Sequence, residues 1–184
     1  RLLDGNYFPE DFVGVRDRLI LLAFYSTGMR LSELTGLALD DVDCKQSQVR
    51  VTGKRNKQRV IPFGSEMMSS IHSYLAMRHA MLMEKGIVSN WFFVSEKSGG
   101  RMPDSKVRQI VQAYLGQVTT LRKKSPHVLR HSFATSMLNH RADLQSVKEL
   151  LGHERLSTTE IYTHTTFEEL KDMYNQAHPR APKK

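Results

Sequence analysis

The sequence predicts a mainly α-helical domain that carries one small antiparallel β-sheet, an α+β fold. Three observations carry this prediction. Most of the chain repeats its apolar residues at helical spacing. One stretch alone, "SQVRVTGKRNKQRVIPF", alternates apolar and polar residues on both sides of a basic turn. Glycines fall at the ends of the periodic segments, where a chain must stop or turn.

The elements follow in order. "PEDFVGVRDRLILLAFYSTGM" opens on Pro9 and acidic residues and spaces Phe12, Val15, Leu19, Leu22 and Ala23 as a helix, broken by Gly28. "RLSELTGL" restarts a short helix that holds Ser32 and Glu33 and ends near Gly36. Val49 and Val51, then Val60 and Ile61, form a hairpin whose turn residues are Gly53 and Asn56. Pro62 suits a sheet edge, and a third strand is expected from about Leu39 to Asp43. A helix follows from Ser65, its expected cap, to Lys85, closed by Gly86; its methionines are core filling. "WFFVS" is a short strand or buried connector and "EKSGGRMPDS" a loop. "DSKVRQIVQAYLGQV" places Val107, Ile110, Val111 and Tyr114 on one side of a helix. "SPHVLRHSFATSMLNH" is a further helix with Ser125 as N-cap and Pro126 in the first turn. "DLQSVKELLG" is closed by Gly152. After "STTEIYTH", a last helix from about Thr166 to Ala177 carries the stripe Phe167, Leu170, Met173, Tyr174 and Ala177. Neither an internal repeat nor a long linker interrupts the chain, which reads as one domain over residues 1–180 with a disordered tail at 181–184.

Composition narrows the function. The chain has 184 residues, 40% of them hydrophobic, enough for one real core. No apolar run approaches the roughly 20 residues of a membrane span, and the first residues lack a signal-peptide pattern. Cys44 is the single cysteine, so a disulfide framework is excluded, which suits a reducing cytosol. The net charge of +8, with a pI near 9.7, favours a polyanionic partner, nucleic acid before anionic membrane. The chain begins at Arg1 without a methionine and reads as a fragment.

Six residues stand out: Arg30 after a glycine at a helix start, Lys54 on the hairpin turn, His127 and Arg130 three apart on one helix face, His153 just past Gly152, and Tyr162 nine residues later. Singly, each has an ordinary reading: a solvated cation, an incidental histidine, a half-buried aromatic. Together they suit attack on a phosphodiester. Guanidiniums clamp non-bridging oxygens bidentately, which an ammonium cannot do. An imidazole supplies a hydrogen bond or moves a proton near neutrality. A lysine can protonate the leaving oxygen, and a tyrosine hydroxyl can attack phosphorus to form a covalent intermediate. Tyrosine ordinarily titrates at about 10, so a cluster of cations must favour the phenolate. The arginines take the electrostatic role a metal plays elsewhere, so neither metal nor cofactor is expected.

"STGMRLSELTGL", "VTGKRNKQRVIPFG", "SPHVLRHSFATSMLNHRADLQSVKELLGH" and "STTEIYTH" together resemble the catalytic domain of tyrosine recombinases, Xer-type recombinases above all, from about Asp11 to Arg180. The resemblance implies that fold, site-specific cleavage and rejoining of double-stranded DNA through a 3′-phosphotyrosine, and independence of metal and ATP. It implies that Arg30 and Arg130 are the family's two arginines and Glu33 their orienting acid. Lys54 matches the general acid on the hairpin, His127 and His153 the imidazole positions, and Tyr162 the nucleophile. It also implies a bacterial cytoplasmic protein working on the nucleoid, a tetramer of protomers on paired sites, and a separate N-terminal DNA-clamping domain that these residues do not include. The last helix would pack either on its own domain or on a neighbouring protomer. Three rivals stand beside this reading: a metal-dependent phosphodiesterase built on His127 and His131, a catalytically silent DNA-binding module, and a relaxing enzyme of topoisomerase type.

Overall fold

The computed structural model describes residues 2–4, 6–120, 122–152 and 167–180. Among them run seven α-helices and a three-stranded sheet: α1 (Phe12–Thr27), α2 (Leu31–Thr35), β1 (Val42–Asp43), β2 (Gln48–Thr52), β3 (Gln58–Pro62), α3 (Ser65–Lys85), α4 (Asp104–Val118), α5 (Pro126–Asn139), α6 (Leu144–Leu151) and α7 (Phe167–Ala177). The fold is mainly α with a small antiparallel sheet, as the periodicities predict.

α1 starts on Asp11 rather than at Pro9: the Asp11 carboxylate accepts the Gly14 N–H at 2.8 Å. Burial reaches beyond the residues whose spacing marks this helix. Leu19 through Phe24 are all buried, because α1 packs against both α3 and α5 and is the central helix. Gly28 ends it in the left-handed region at φ 64°. A Cβ there would lie 2.4 Å from Phe133 and 2.8 Å from Leu151. That glycine therefore lets the start of α2 lie close against α5 and α6.

The sheet is antiparallel in the order β1-β2-β3. Val49 pairs Ile61 and Val51 pairs Arg59, and Val49, Val51 and Ile61 are buried on the core face. β3 is an edge strand, which tolerates Pro62. Two corrections arise here. The third strand is only Val42–Asp43, since Leu39–Asp41 forms a 3-10 turn. The hairpin turn takes its left-handed residues from Arg55 and Asn56 and not from Gly53, which is extended.

Ser65 is the first residue of α3 and not its cap; extended Gly64 occupies that position. Ser125 does precede α5, but its side chain makes no capping bond. "WFFVS" is a buried connector: Phe92, Phe93 and Val94 are core residues held by single bridges, Ala38 to Trp91 and Val94 to Arg101.

α7 packs on its own domain, against α5, α6 and β3, with Tyr174 and Ala177 buried. The chain stays ordered past it. Arg180 pairs with Glu66 and Asp4; the expected tail at 181–184 lies outside the described residues.

His178 closes this junction. Its ring stacks on Tyr174 at 4.8 Å. Nδ1 accepts the Arg180 N–H at 3.1 Å, so Nε2 carries the proton and donates to the Tyr25 carbonyl at 3.3 Å. Burial, with the nearby charges of Arg180 and His140, pulls its pKa down to about 4, against the Tyr25 bond and Glu66, which favour the cation. The unfolded chain protonates near 6.5. The neutral ring therefore contributes stability that is complete above that pH and is lost as pH falls towards 4, a total of roughly 3 kcal/mol. His178→Phe is expected to flatten the stability profile across this window in urea titrations; an unchanged slope would show that other groups set it.

Candidate active site

The site is assembled around the C-terminal end of α6. Three successive carbonyls there each accept from an arginine of a different element. Arg59 Nε of β3 donates to the Leu150 oxygen at 2.7 Å. Arg130 Nη2 of α5 donates to the Leu151 oxygen at 2.7 Å. Arg30 Nη2, at the start of α2, donates to the Gly152 oxygen at 3.2 Å. A helix C-terminus leaves these carbonyls unpaired and carries partial negative charge, so it suits a cluster of cations. Arg130 Nη1 also donates to the Gly28 oxygen, which locks the guanidinium between the α1–α2 turn and α6.

Glu33 lies on the first turn of α2. Its carboxylate accepts the backbone N–H of Arg30 at 2.7 Å and Arg30 Nη1 at 3.3 Å. It also accepts both Nη groups of Arg59, at 2.6 and 3.0 Å. Burial alone would raise its pKa, but the Arg59 hydrogen bonds and charge, with those of Arg30, hold it below the usual carboxylate range. Arg130 is pulled down to about 10 by burial and by the charges of Arg30 and Arg59, with Glu33 opposing. It stays charged at neutrality, and the cost of crowding cations falls when an anion enters.

In front of this cluster opens a groove of about 500 Å³, lined by Arg30, Lys54, Asp104, Arg108, His127 and Arg130 among others. Lys54 and His127 are exposed. Arg130 is nearly buried, yet it still lines the groove. Four of the six singled-out residues are thus brought together, with Glu33 behind them. His153 and Tyr162 lie outside the described residues. Among the described residues no group of three His, Cys, Asp or Glu side chains comes together, and His127 and His131 share their helix with Arg130, a poor neighbour for a bound cation.

Sequence reasoning missed Arg59 and Arg108. Arg108 carries no signal beyond its charge. Arg59 does: it is directly opposite Val51, and cross-strand partners face the same side of a sheet. An arginine on the core face of a strand needs a buried partner.

The phage integrase family model matches residues 6–169. Tyrosine recombinase XerC of Pelotomaculum thermopropionicum is 45% identical over 172 residues, covering 92% of this chain and 56% of the relative. Tyrosine recombinase XerC of Chlorobaculum tepidum is 46% identical over 175 residues, covering 94% and 52%. The chain therefore spans little more than half the length of these relatives. Among solved structures, XerA recombinase superposes with a TM-score of 0.68 at 33% identity, over 91% of this chain and 60% of that one. XerH recombinase bound to its difH substrate superposes at 0.72, over 95% and 46%, and at 23% identity this likeness is one of fold.

Proposed function

Since the chain belongs to the phage integrase family, we propose that it is the strand-cleaving and rejoining part of a site-specific DNA recombinase. The observation that carries this reading is the convergence of Arg30 and Arg130 on one groove lined by Lys54 and His127. Two guanidiniums held by backbone carbonyls are already oriented before substrate arrives, and preorganised donors of this kind stabilise charge that develops in a transition state. Double-stranded DNA is the substrate, in line with the +8 charge and with the DNA complex of XerH. Tyr162 attacks phosphorus, the 5′-oxygen leaves with a proton, and the phosphotyrosine keeps the energy of the broken bond so that rejoining needs no ATP. The arginines, with His127 and His153, carry the charge of the pentacoordinate phosphate, and no metal takes part.

The setting proposed is the bacterial cytoplasm, on the nucleoid; no described helix is long and apolar enough to cross a membrane. Protomers assemble as a tetramer on paired sites. Passing α7 to a neighbour would first have to uncover Tyr174 and break the Arg180 ion pairs, so docking in trans must supply equivalent contacts.

Lys54 rides on the turn between β2 and β3, exposed and on the lining of the groove. It donates the proton to the leaving oxygen. Lys54→Ala is expected to slow cleavage of ordinary DNA by about 10²- to 10³-fold and to slow a 5′-thiolate leaving group, which needs no proton, only slightly. Rates on both substrates, taken in EDTA, test the proposal. Equal defects would make Lys54 a phosphate grip, and cleavage restored only by added metal would revive the phosphodiesterase reading.

A further inference from the structure

We propose that Arg59 is a positioning residue for this cleavage: it occupies both oxygens of Glu33 and so holds the Arg30 side chain to one long bond there, with its other Nη on the Gly152 carbonyl beside the groove. The inference rests on the reading of the groove as a phosphodiester-cleaving site.

Glu33 has no exposed side-chain surface and Arg59 retains 15%. A carboxylate so buried needs cations and donors around it. Arg59 supplies the stronger pair, bidentate at 2.6 and 3.0 Å, against 3.3 Å for the Arg30 side chain. Its remaining Nε is spent on the Leu150 carbonyl. Every edge of the guanidinium is thus fixed, and the hairpin that carries Lys54 is tied to α2 and α6 at the same point.

Two glycines lie against this cluster, Gly152 beside Arg59 and Gly53 beside Glu33. A Cβ on Gly152 would lie 2.9 Å from Arg59 Nη1 and 3.1 Å from its Cζ and Nε. A Cβ on Gly53 would lie 3.2 Å from Glu33 Oε1 and 3.8 Å from Arg30 Nη1. Backbone from both sides closes to the distance that only glycine allows without displacement. Gly152 also has φ 65°, the left-handed conformation that ends α6.

Without Arg59 the Glu33 carboxylate keeps Arg30 as its one cationic partner among the described residues. Arg30 then gives up the Gly152 carbonyl, turns from a single long side-chain bond to a bidentate pair on Glu33 and withdraws from the groove. Lysine cannot substitute, because one ammonium does not span two carboxylate oxygens and the Leu150 carbonyl in a fixed fork. The defect acts through the phosphate clamp and not through the leaving group.

The test compares Arg59→Lys, Arg59→Gln and the pair Arg59→Gln with Glu33→Gln, each in the full chain on nicked duplex DNA. Arg59→Gln is expected to slow cleavage by about 100-fold, the cost of a misplaced group. The loss should be equal with ordinary and 5′-thiolate leaving groups, and DNA affinity should be nearly unchanged. Removing the carboxylate as well should release Arg30 and recover roughly tenfold of the rate, a gain that a merely structural role does not produce. The Arg30 Nε–H signal in a nitrogen-15 spectrum of the free chain, identified by its loss in Arg30→Lys, should move in Arg59→Gln and return in the double variant. This arm stands even where wild type forms no covalent adduct, an outcome that would overturn the recombinase reading separately. Should Arg59→Gln fail to fold, Arg59→Lys carries the same comparison, since it keeps the charge and loses the fork. An unmoved Arg30 signal, a double variant no faster than the single, or rescue by the thiolate would each overturn the assignment.

Discussion

Tyr162→Phe is expected to abolish covalent attachment to DNA while leaving DNA affinity unchanged. The substitution removes one oxygen and leaves every basic residue in place, so the electrostatic attraction between the +8 chain and the phosphate backbone survives. Without that oxygen nothing can replace the 5′-oxygen at phosphorus, and the loss should reach the detection limit of the assay. Cleavage rate and binding, measured on the same nicked duplex, separate the two effects. Equal loss of affinity would mean that the hydroxyl serves DNA binding, so that lost cleavage alone would not identify it as the nucleophile.

Arg130→Lys is expected to lower the cleavage rate by about 10²- to 10³-fold, or about 3 to 4 kcal/mol of transition-state stabilisation. Arg130 already spends donors on the Gly28 and Leu151 carbonyls, and it lines the groove in which the phosphate would lie. An ammonium satisfies one carbonyl or the phosphate but cannot hold that geometry for all three. It also leaves a buried carbonyl short of a partner, so some loss of thermal stability should accompany the kinetic defect. Single-turnover rates at saturating protein, with melting temperatures recorded alongside, distinguish a lost clamp from a lost fold. A folded variant that cleaves at near wild-type rate would remove Arg130 from the transition state.

Much of this arrangement was legible in the residues. Helical spacing located the helices, and alternation located the hairpin. "TGMR" announced a glycine-ended helix followed by an arginine, and the structure shows why: Gly28 lets α2 begin against Phe133 and Leu151. What escaped was set by long-range packing. The helical spacing of Phe12, Val15, Leu19, Leu22 and Ala23 located α1 but cannot tell one covered face from two. Ser65 looked like a cap because its residue type suits one, but the extended backbone of Gly64 already ends the preceding strand connection there.

The convergence on α6 was beyond local reasoning. Its bonds join residues separated by 91 positions for Arg59 and 122 for Arg30. No pattern within one element reports them. Arg59 was hidden by company: in "GKRNKQR" every basic residue looks like a solvated turn. Only the register separates it from the others, since Arg59 pairs with buried Val51 whereas Lys54, Arg55 and Lys57 belong to the turn. Alternation counted back from Ile61 would have placed it on the core face.

The central claim is that this cationic groove delivers a phosphodiester to Tyr162 without a metal. Its most direct measurement is to trap the chain on nicked duplex DNA in EDTA, digest the adduct, and locate the attached nucleotide by mass spectrometry. The account predicts a 3′-phosphonucleotide on the peptide that contains Tyr162 and none on Tyr162→Phe. A nucleotide attached to any other residue, or an adduct that forms only when a divalent metal is restored, would contradict it.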